Sequence, residues 1–221
     1  MCYRAQIRAD YRRYVRRFGA HMSLEDFAQL YLGLVEGSSK AKTPKAVDAA
    51  FLESTDDGVA GIRQLIEQYN ATKTVSLEQE LFAQRTRLVV AERTLQKKTT
   101  KAATESRRIA ADKIDATLGR LEDIARMELE PRDSRIFPGY YVPLLIVENG
   151  QRVVKPMRYQ CRIAGKPASH DVKYPGTYNA RRDSLSGFWK PCFGYAHGIM
   201  VVDVFYENVS RAKAHWRFLA S

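Results

Sequence analysis

The stretch from Ser76 to Met127 constrains the fold of this chain most strongly. It contains no proline and no glycine before Gly119, and its leucines recur at helical spacing. A single helix of that length would be about 75 Å long and would leave its apolar stripe uncovered. We therefore predict a helical hairpin that turns near Lys98–Lys101, a polar segment without apolar anchors. A coiled-coil dimer is the alternative, and it would use residues 76–128.

Three shorter helices are predicted before the hairpin. They run from Ser23 to Gly37, from Thr43 to Leu52 and from Gly61 to Tyr69. Ser76 and Gln79 then form a capping-box pattern, which predicts that the long helical stretch begins at Ser76.

Beyond Glu130-Pro131 the pattern changes from helical to strand-like. Val142–Val147 and Gln151–Arg158 flank Asn149-Gly150, which is the strongest short signal for a β-hairpin turn. Ile199–Phe205 is apolar enough to lie centrally in a sheet. Together these segments predict an α+β fold.

The charge balance indicates a polyanionic partner. Lys and Arg number 36 against 25 Asp and Glu, which gives a net charge of +11. Such an excess is typical of nucleic-acid-binding proteins, with solubility alone as the alternative. Residues 4–18 interleave arginines with aromatic residues, either as a phosphate-binding face or as the solvated side of an amphipathic helix. Phe188-Trp189 and Phe193-Gly194-Tyr195 are either core packing or a platform on which exposed bases stack.

Composition argues against several other classes of protein. No apolar run reaches membrane-spanning length, so we expect a cytoplasmic protein with no membrane partner. The three cysteines, at positions 2, 161 and 192, form no Cys-x-x-Cys pair, and the four histidines lack ligand spacing. We therefore expect free thiols, no metal site and no cofactor.

Cys2 follows the initiator Met and is small enough to become the first residue after aminopeptidase cleavage. The chain would then begin with an amine and a thiol on adjacent carbons. An α-amine titrates near about pH 8, so a useful fraction of it is neutral at neutral pH. A neutral amine condenses with an aldehyde to an imine, and the neighbouring thiolate can close on the imine carbon to give a thiazolidine that resists hydrolysis. A cysteine that stands at position 2 by chance is the alternative.

A second group of polar residues lies near the C-terminus. Tyr178–Ser184 holds an asparagine and two arginines in a turn-rich segment, and an apolar strand then delivers Glu207 at its end. Because burying an unpaired carboxylate is costly, this placement favours a functional role for Glu207. The alternative is an edge strand that reaches solvent, with a structural asparagine in a turn.

These motifs resemble the SRAP family, the SOS-response-associated peptidase or abasic-site processing proteins. Met1-Cys2, Asn179-Ala180-Arg181 and Phe205-Tyr206-Glu207 occur in the family's order and are the specific part, whereas 135–139 and 156–159 match more weakly. The match covers residues 1–20 and 131–209. It implies a single domain over residues 1–221 with a curved, barrel-like mixed β-sheet core, and a helical insertion at 22–130.

The resemblance also implies a DNA-damage-response protein of the cytoplasm and nucleoid. Members bind single-stranded DNA, crosslink to abasic sites through the N-terminal cysteine, and are credited with a peptidase activity that removes their own leading residues. Cys2 would be the nucleophile, Asn179 would orient the Cys2 backbone or the sugar, and Glu207 would shuttle protons. The DNA contacts would come from Arg4, Arg158, Arg181, Arg182 and Trp189.

The sequence departs from the family pattern at several positions. Tyr3 stands where smaller members carry glycine, and Asp183 where a glutamate is usual. The family's later catalytic histidine has no counterpart, because His215 follows Glu207 too closely. We therefore expect that the C-terminal part of the family domain is missing. Two alternative functions stay open: an inactive truncated member, and a non-catalytic protein that binds nucleic acid or a partner.

Overall fold

A computed structural model describes residues 2–6, 17–163, 165–174, 177, 180–195, 197–207 and 218–219, and for 2–6, 205–207 and 218–219 it describes the backbone alone. Five α-helices lie in these ranges: α1 (Leu24–Val35), α2 (Lys45–Leu52), α3 (Ala60–Lys97), α4 (Lys101–Ala125) and α5 (Ser169–Lys173). The strands are β1 (Cys2–Gln6), β2 (His21–Met22), β3 (Arg135–Ile136), β4 (Tyr141–Glu148), β5 (Gln151–Arg158), β6 (Val204–Glu207) and β7 (Phe218–Leu219). The predicted α+β class is confirmed, and α1 and α2 confirm the first two short helices.

The strands form two sheets. One is antiparallel, in the order β3-β1-β6-β7, and the other is mixed, in the order β2-β5-β4, with β2 parallel to β5. The chain crosses between the sheets four times: from β1 to β2, from β2 to β3, from β3 to β4, and from β5 to β6. In the last crossing Ile199 pairs with Leu145 of β4 before β6 pairs with β1. Within the described ranges neither sheet closes on itself.

The prediction of one apolar strand over Ile199–Phe205 is wrong. Ile199 makes a single β-bridge to Leu145, with N–H···O distances of 2.8 and 2.9 Å in the two directions. Ile199 itself is 63% exposed. The chain bends at Asp203, and strand geometry resumes only at Val204. The physical reason is that this segment must leave the edge of β4 to reach β1, and no single ladder of hydrogen bonds can hold it along both.

The predicted β-hairpin is confirmed. β4 and β5 pair from Tyr141 opposite Arg158 to Glu148 opposite Gln151, and Asn149 and Gly150 connect them with φ angles of 51° and 76°. Two consecutive residues with positive φ define the turn type whose twist matches that of the flanking strands.

Gly150→Ala should destabilise the protein by about 1 kcal/mol, because a Cβ atom is strained at this positive φ. Gly61→Ala is the matched control: Gly61 lies in α3, has open space around its Cα, and gains helix propensity from the change. Urea unfolding followed by tryptophan fluorescence measures both. Equal effects of the two substitutions would contradict this account of the turn.

The chain divides into two compact units: a first unit of residues 1–65 and 129–221, and a second unit of residues 66–128. The core of the first unit is aromatic and branched. Phe27 and Tyr31 of α1 are buried against Phe51 of α2, with ring centroids 5.1 and 6.1 Å from that of Phe51. The Tyr31 hydroxyl donates to Asp48 Oδ1 at 2.5 Å, and burial raises the pKa of Tyr31 well above its usual value.

The second unit is a helical hairpin, as predicted. α3 ends at Lys97 and α4 begins at Lys101. Arg87 Nε donates to Ser106 Oγ at 2.9 Å, and Lys113 Nζ lies 4.0 Å from Glu80 Oε1. Moving seven residues back along α3 therefore moves the contact seven residues forward along α4, which is the signature of antiparallel packing. The interface is lined by small buried residues: Ala91, Ala103, Ala110 and Thr117.

The prediction of a separate helix over Gly61–Tyr69 is wrong, and so is the capping box at Ser76. α3 runs without a break from Ala60 to Lys97. Ser76 is an exposed residue in its interior, where serine costs only about 0.5 kcal/mol relative to alanine. Since no proline or further glycine interrupts the segment, ending the helix there would cost more than continuing it.

The helical insertion predicted over residues 22–130 spans both units. α1 and α2 belong to the first unit, and the boundary between the units falls inside α3, between Leu65 and Ile66. Across the described residues, no helix combines the length and the apolarity needed to cross a membrane.

Candidate functional site

The predicted nucleophile and the predicted proton shuttle lie on paired strands. β1 and β6 run antiparallel, and Cys2 is the Cα partner of Glu207. The pairing continues with Arg4 opposite Tyr206. Directly opposite residues in antiparallel strands have Cα atoms about 5 Å apart. The fold thus brings together two backbone positions from the two ends of the sequence.

A β-bulge separates Cys2 from the rest of β1. Two steps along β1, from Arg4 to Cys2, correspond to a single step along β6, from Tyr206 to Glu207. β1 therefore carries one extra residue, at Tyr3. Bulges of this kind re-aim a strand and increase its twist, and they are common next to active sites.

Asn179 lies outside the described residues, but Thr177, two positions before it, is hydrogen-bonded on several sides. Thr177 is 5% exposed, and both its N–H and its Oγ1 donate to the carbonyl of Tyr174, at 3.2 and 3.0 Å. The Thr177 carbonyl accepts from the N–H of Cys161 at 3.0 Å, and its Oγ1 accepts from Gln160 Nε2 at 3.2 Å. These bonds tie Thr177 to Tyr174 and to the residues that follow β5.

Arg158, predicted as a DNA contact, lies in an ion-pair cluster within the protein. Asp171 of α5 accepts from Arg158 Nη1 and from Arg162 Nε, the latter at 3.0 and 3.1 Å to its two oxygens. The Arg162 hydrogen bonds, and then Arg158, hold the pKa of Asp171 far below its usual range. Two guanidinium groups share one carboxylate here, so the cluster keeps a formal positive charge.

The sequence prediction missed Asp171. Its partners lie 13 and 9 residues before it, at Arg158 and Arg162. These separations match no helix or strand repeat, so local patterning carries no signal for the cluster. The cluster ties α5 to the end of β5 and to Arg162.

Asp171→Asn should destabilise the first unit by about 2 kcal/mol at neutral pH, since it weakens charge-assisted hydrogen bonds and leaves two arginines facing each other. Because the folded pKa of Asp171 is depressed, its stabilisation is complete above about pH 4, the unfolded value, and is lost as the pH falls further. The deficit of the variant should therefore shrink at low pH. Urea unfolding at several pH values, followed by tryptophan fluorescence, measures this deficit.

Asp112→Asn is the control for this prediction. Asp112 pairs with Arg108 on the exposed face of α4, at 2.8 Å. Exposed pairs of this kind contribute less than about 0.5 kcal/mol. A deficit for Asp171→Asn that is no larger than that of Asp112→Asn would contradict a structural role for the cluster.

Arg181 and Arg182, also predicted as DNA contacts, are exposed at the start of a 3₁₀ turn, Arg182–Ser184. Arg181 Nε lies 3.5 Å from Asp183 Oδ1, and both side chains are more than two-thirds exposed. An ion pair this exposed contributes little and breaks readily. Both guanidinium groups therefore remain accessible to an anionic ligand.

Trp189 is 5% exposed, and its backbone N–H donates to the Ser184 carbonyl at 3.1 Å. Of the two alternatives for Phe188-Trp189, this burial favours core packing for Trp189, because a stacking platform needs an open ring face. The exposed rings of this segment belong to other residues: Phe188, Phe193 and Tyr195, the last of them 82% exposed. The segment 181–195 thus presents arginines and aromatic rings on its surface.

Where side chains are described, no three His, Cys, Asp or Glu residues lie close enough together to hold a metal ion. In comparisons with known proteins, no family model, no curated protein and no solved structure matched the chain.

Proposed function

We propose that this chain captures abasic sites in single-stranded DNA as a covalent thiazolidine adduct formed by Cys2. The observation that carries the proposal is the cross-strand pairing of Cys2 with Glu207. An aminothiol needs a nearby acid and base to form the adduct quickly, and a cross-strand partner is the closest neighbour that a sheet provides.

The chemistry needs no cofactor. After removal of Met1, the α-amine of Cys2 adds to the sugar aldehyde and gives a carbinolamine. Loss of one water gives an imine, and a carboxyl group that protonates the departing hydroxyl accelerates this step. The thiol then adds across the C=N bond: the new C–S bond closes the ring and the thiol proton ends on nitrogen. In this proposal Glu207 supplies and accepts these protons, and Asn179 orients the sugar.

Binding of the DNA strand is assigned to the surface of segment 181–195. Arg181 and Arg182 are exposed and would contact phosphates. The exposed rings of Phe188, Phe193 and Tyr195 would stack on bases, and stacking tolerates any sequence. Arg158 would act indirectly, because it ties α5 to the end of β5 through Asp171.

We also propose a barrel-like core and a cytoplasmic location for the protein. The two sheets would be parts of one curved, barrel-like sheet, since the chain crosses between them four times. The protein would act on damaged DNA in the cytoplasm and nucleoid.

Intact-mass spectrometry tests the proposed function. The purified chain should lack Met1, and incubation with a single-stranded oligonucleotide that carries one abasic site should give the summed mass of the two molecules less one water. An undamaged oligonucleotide of the same sequence is the control and should give no adduct. A chain that begins at Cys2 and forms no adduct would contradict the proposal.

A second candidate function is non-catalytic binding of nucleic acid. The exposed arginines and aromatic rings of segment 181–195 favour it, because they require nothing of Cys2. Salt-sensitive binding of undamaged single strands, without any adduct on abasic DNA, would establish this function instead.

A further inference from the structure

The second unit carries an apolar stripe that its own hairpin does not cover. Val75, Phe82 and Val89 recur every seven residues along α3, and all three are exposed, Phe82 to 75%. Residues seven apart lie two turns apart on one side of a helix. The hairpin interior uses a different side of α3, where Leu77 and Ala91 are buried.

The two borders of the stripe differ in chemistry. One border is small or apolar: Ser76, Ala83 and Val90 each follow a stripe residue by one position. The other border is charged, because Glu78, Arg85 and Glu92 follow Val75, Phe82 and Val89 by three positions. All three charged residues are exposed.

The stripe is symmetric about Phe82. Reversing the helix about this residue places Val75 opposite Val89 and Phe82 opposite itself. The same reversal places Glu78 within one residue of the position opposite Arg85, and Glu92 opposite the uncharged Thr72. A surface that matches its own reversed copy in both shape and charge is what a two-fold interface requires, and every contact in such an interface occurs twice.

We propose that this stripe binds a second copy of the chain, with the two α3 helices antiparallel. Phe82 packs against its symmetry mate at the centre, and Val75 packs against Val89 on each side. Glu78 of each copy pairs with Arg85 of the other. In an antiparallel pair the charged border of one helix lies beside the charged border of the other. A parallel arrangement would set the charged border beside Ser76 and Ala83 and would leave these charges unpaired.

The stripe is short, about 21 Å from Val75 to Val89. An interface this narrow lies at the small end of specific protein contacts, so we expect dissociation in the micromolar range. Sedimentation equilibrium of the full chain should show a monomer–dimer equilibrium. Phe82→Asp should raise the dissociation constant about 100-fold, because Phe82 is the aromatic anchor at the centre.

Val147→Asp is the matched control for this substitution. Val147 is 70% exposed on β4 of the first unit and lies outside the stripe. The Val147→Asp substitution should leave the dissociation constant of the dimer unchanged. Because Phe82 is exposed, Phe82→Asp should retain the helix content of the parent chain by circular dichroism.

A charge exchange tests the identity of the occupant. Glu78→Arg and Arg85→Glu should each dimerise poorly alone, since like charges then face each other twice. An equimolar mixture of the two variants should associate as a heterodimer. The charged border of one copy is then positive at both positions and that of the other copy is negative at both. A monomeric parent chain at high micromolar concentration, a dimer unaffected by Phe82→Asp, or a mixture that fails to associate would each overturn the proposal.

Discussion

Cys2→Ala should abolish the hydrolysis-resistant adduct between this chain and abasic DNA. The variant can still lose Met1 and present an α-amine, so it can still form an imine with the sugar aldehyde. Without the thiol, however, the ring cannot close, and the imine reverts in water. Denaturing electrophoresis after heating should therefore show an adduct for the parent chain and none for Cys2→Ala.

Reduction with borohydride separates the role of the amine from that of the thiol. It should trap the imine of Cys2→Ala as a stable secondary amine, which shows that the variant still binds the abasic site. If no adduct is trapped, the substitution has disturbed DNA binding, and the loss of the heated adduct says nothing about ring closure.

The other two described cysteines provide matched controls. Cys161 and Cys192 are free thiols. Partial desolvation raises the pKa of Cys161, which lowers its thiolate fraction at neutral pH. More decisively, neither has a free amine on the adjacent carbon, so neither can close a thiazolidine. Cys161→Ala and Cys192→Ala should retain the full adduct, and a stable adduct that survives Cys2→Ala would rule out the proposed chemistry.

Local signals in the sequence predict the parts of this fold that depend on local interactions. Asn149-Gly150 predicts the β4–β5 hairpin because few residues other than Asn and Gly adopt positive φ at low cost. Lys98–Lys101 predicts the turn between α3 and α4 because it has no apolar residue that could continue the leucine pattern of the helices. In both cases the residues that determine the structure are neighbours in the chain.

Pairings between distant segments are not predictable in this way. The exposed Ile199 and the bulge at Tyr3 depend on where the chain must cross between sheets, and no local pattern records that. The burial of Trp189 and the pairing of Arg158 with Asp171 likewise depend on tertiary packing. Only the family resemblance predicts that Cys2 and Glu207 lie close together, because residues at opposite ends of a chain share no periodicity.

Glu207→Gln should slow formation of the adduct by about 100-fold or more, the usual contribution of a positioned acid or base. Glutamine has nearly the shape of glutamate but cannot supply or accept a proton at neutral pH. Single-turnover rates measured with excess protein isolate the chemical steps from DNA release. Glu148→Gln is the control: Glu148 ends β4 and pairs with Lys155 at 2.7 Å, and its loss should leave the rate unchanged.

The final yield of adduct distinguishes Glu207→Gln from Cys2→Ala more sharply than the rate of adduct formation does. A proton shuttle lowers barriers and leaves the free-energy difference between free and bound aldehyde unchanged. Glu207→Gln should therefore reach the yield of the parent chain when given enough time, whereas Cys2→Ala should never reach it. If Glu207→Gln instead reduces the affinity for undamaged single strands as much as it reduces the rate, Glu207 supports the sheet or the DNA contact, and a role in proton transfer is excluded.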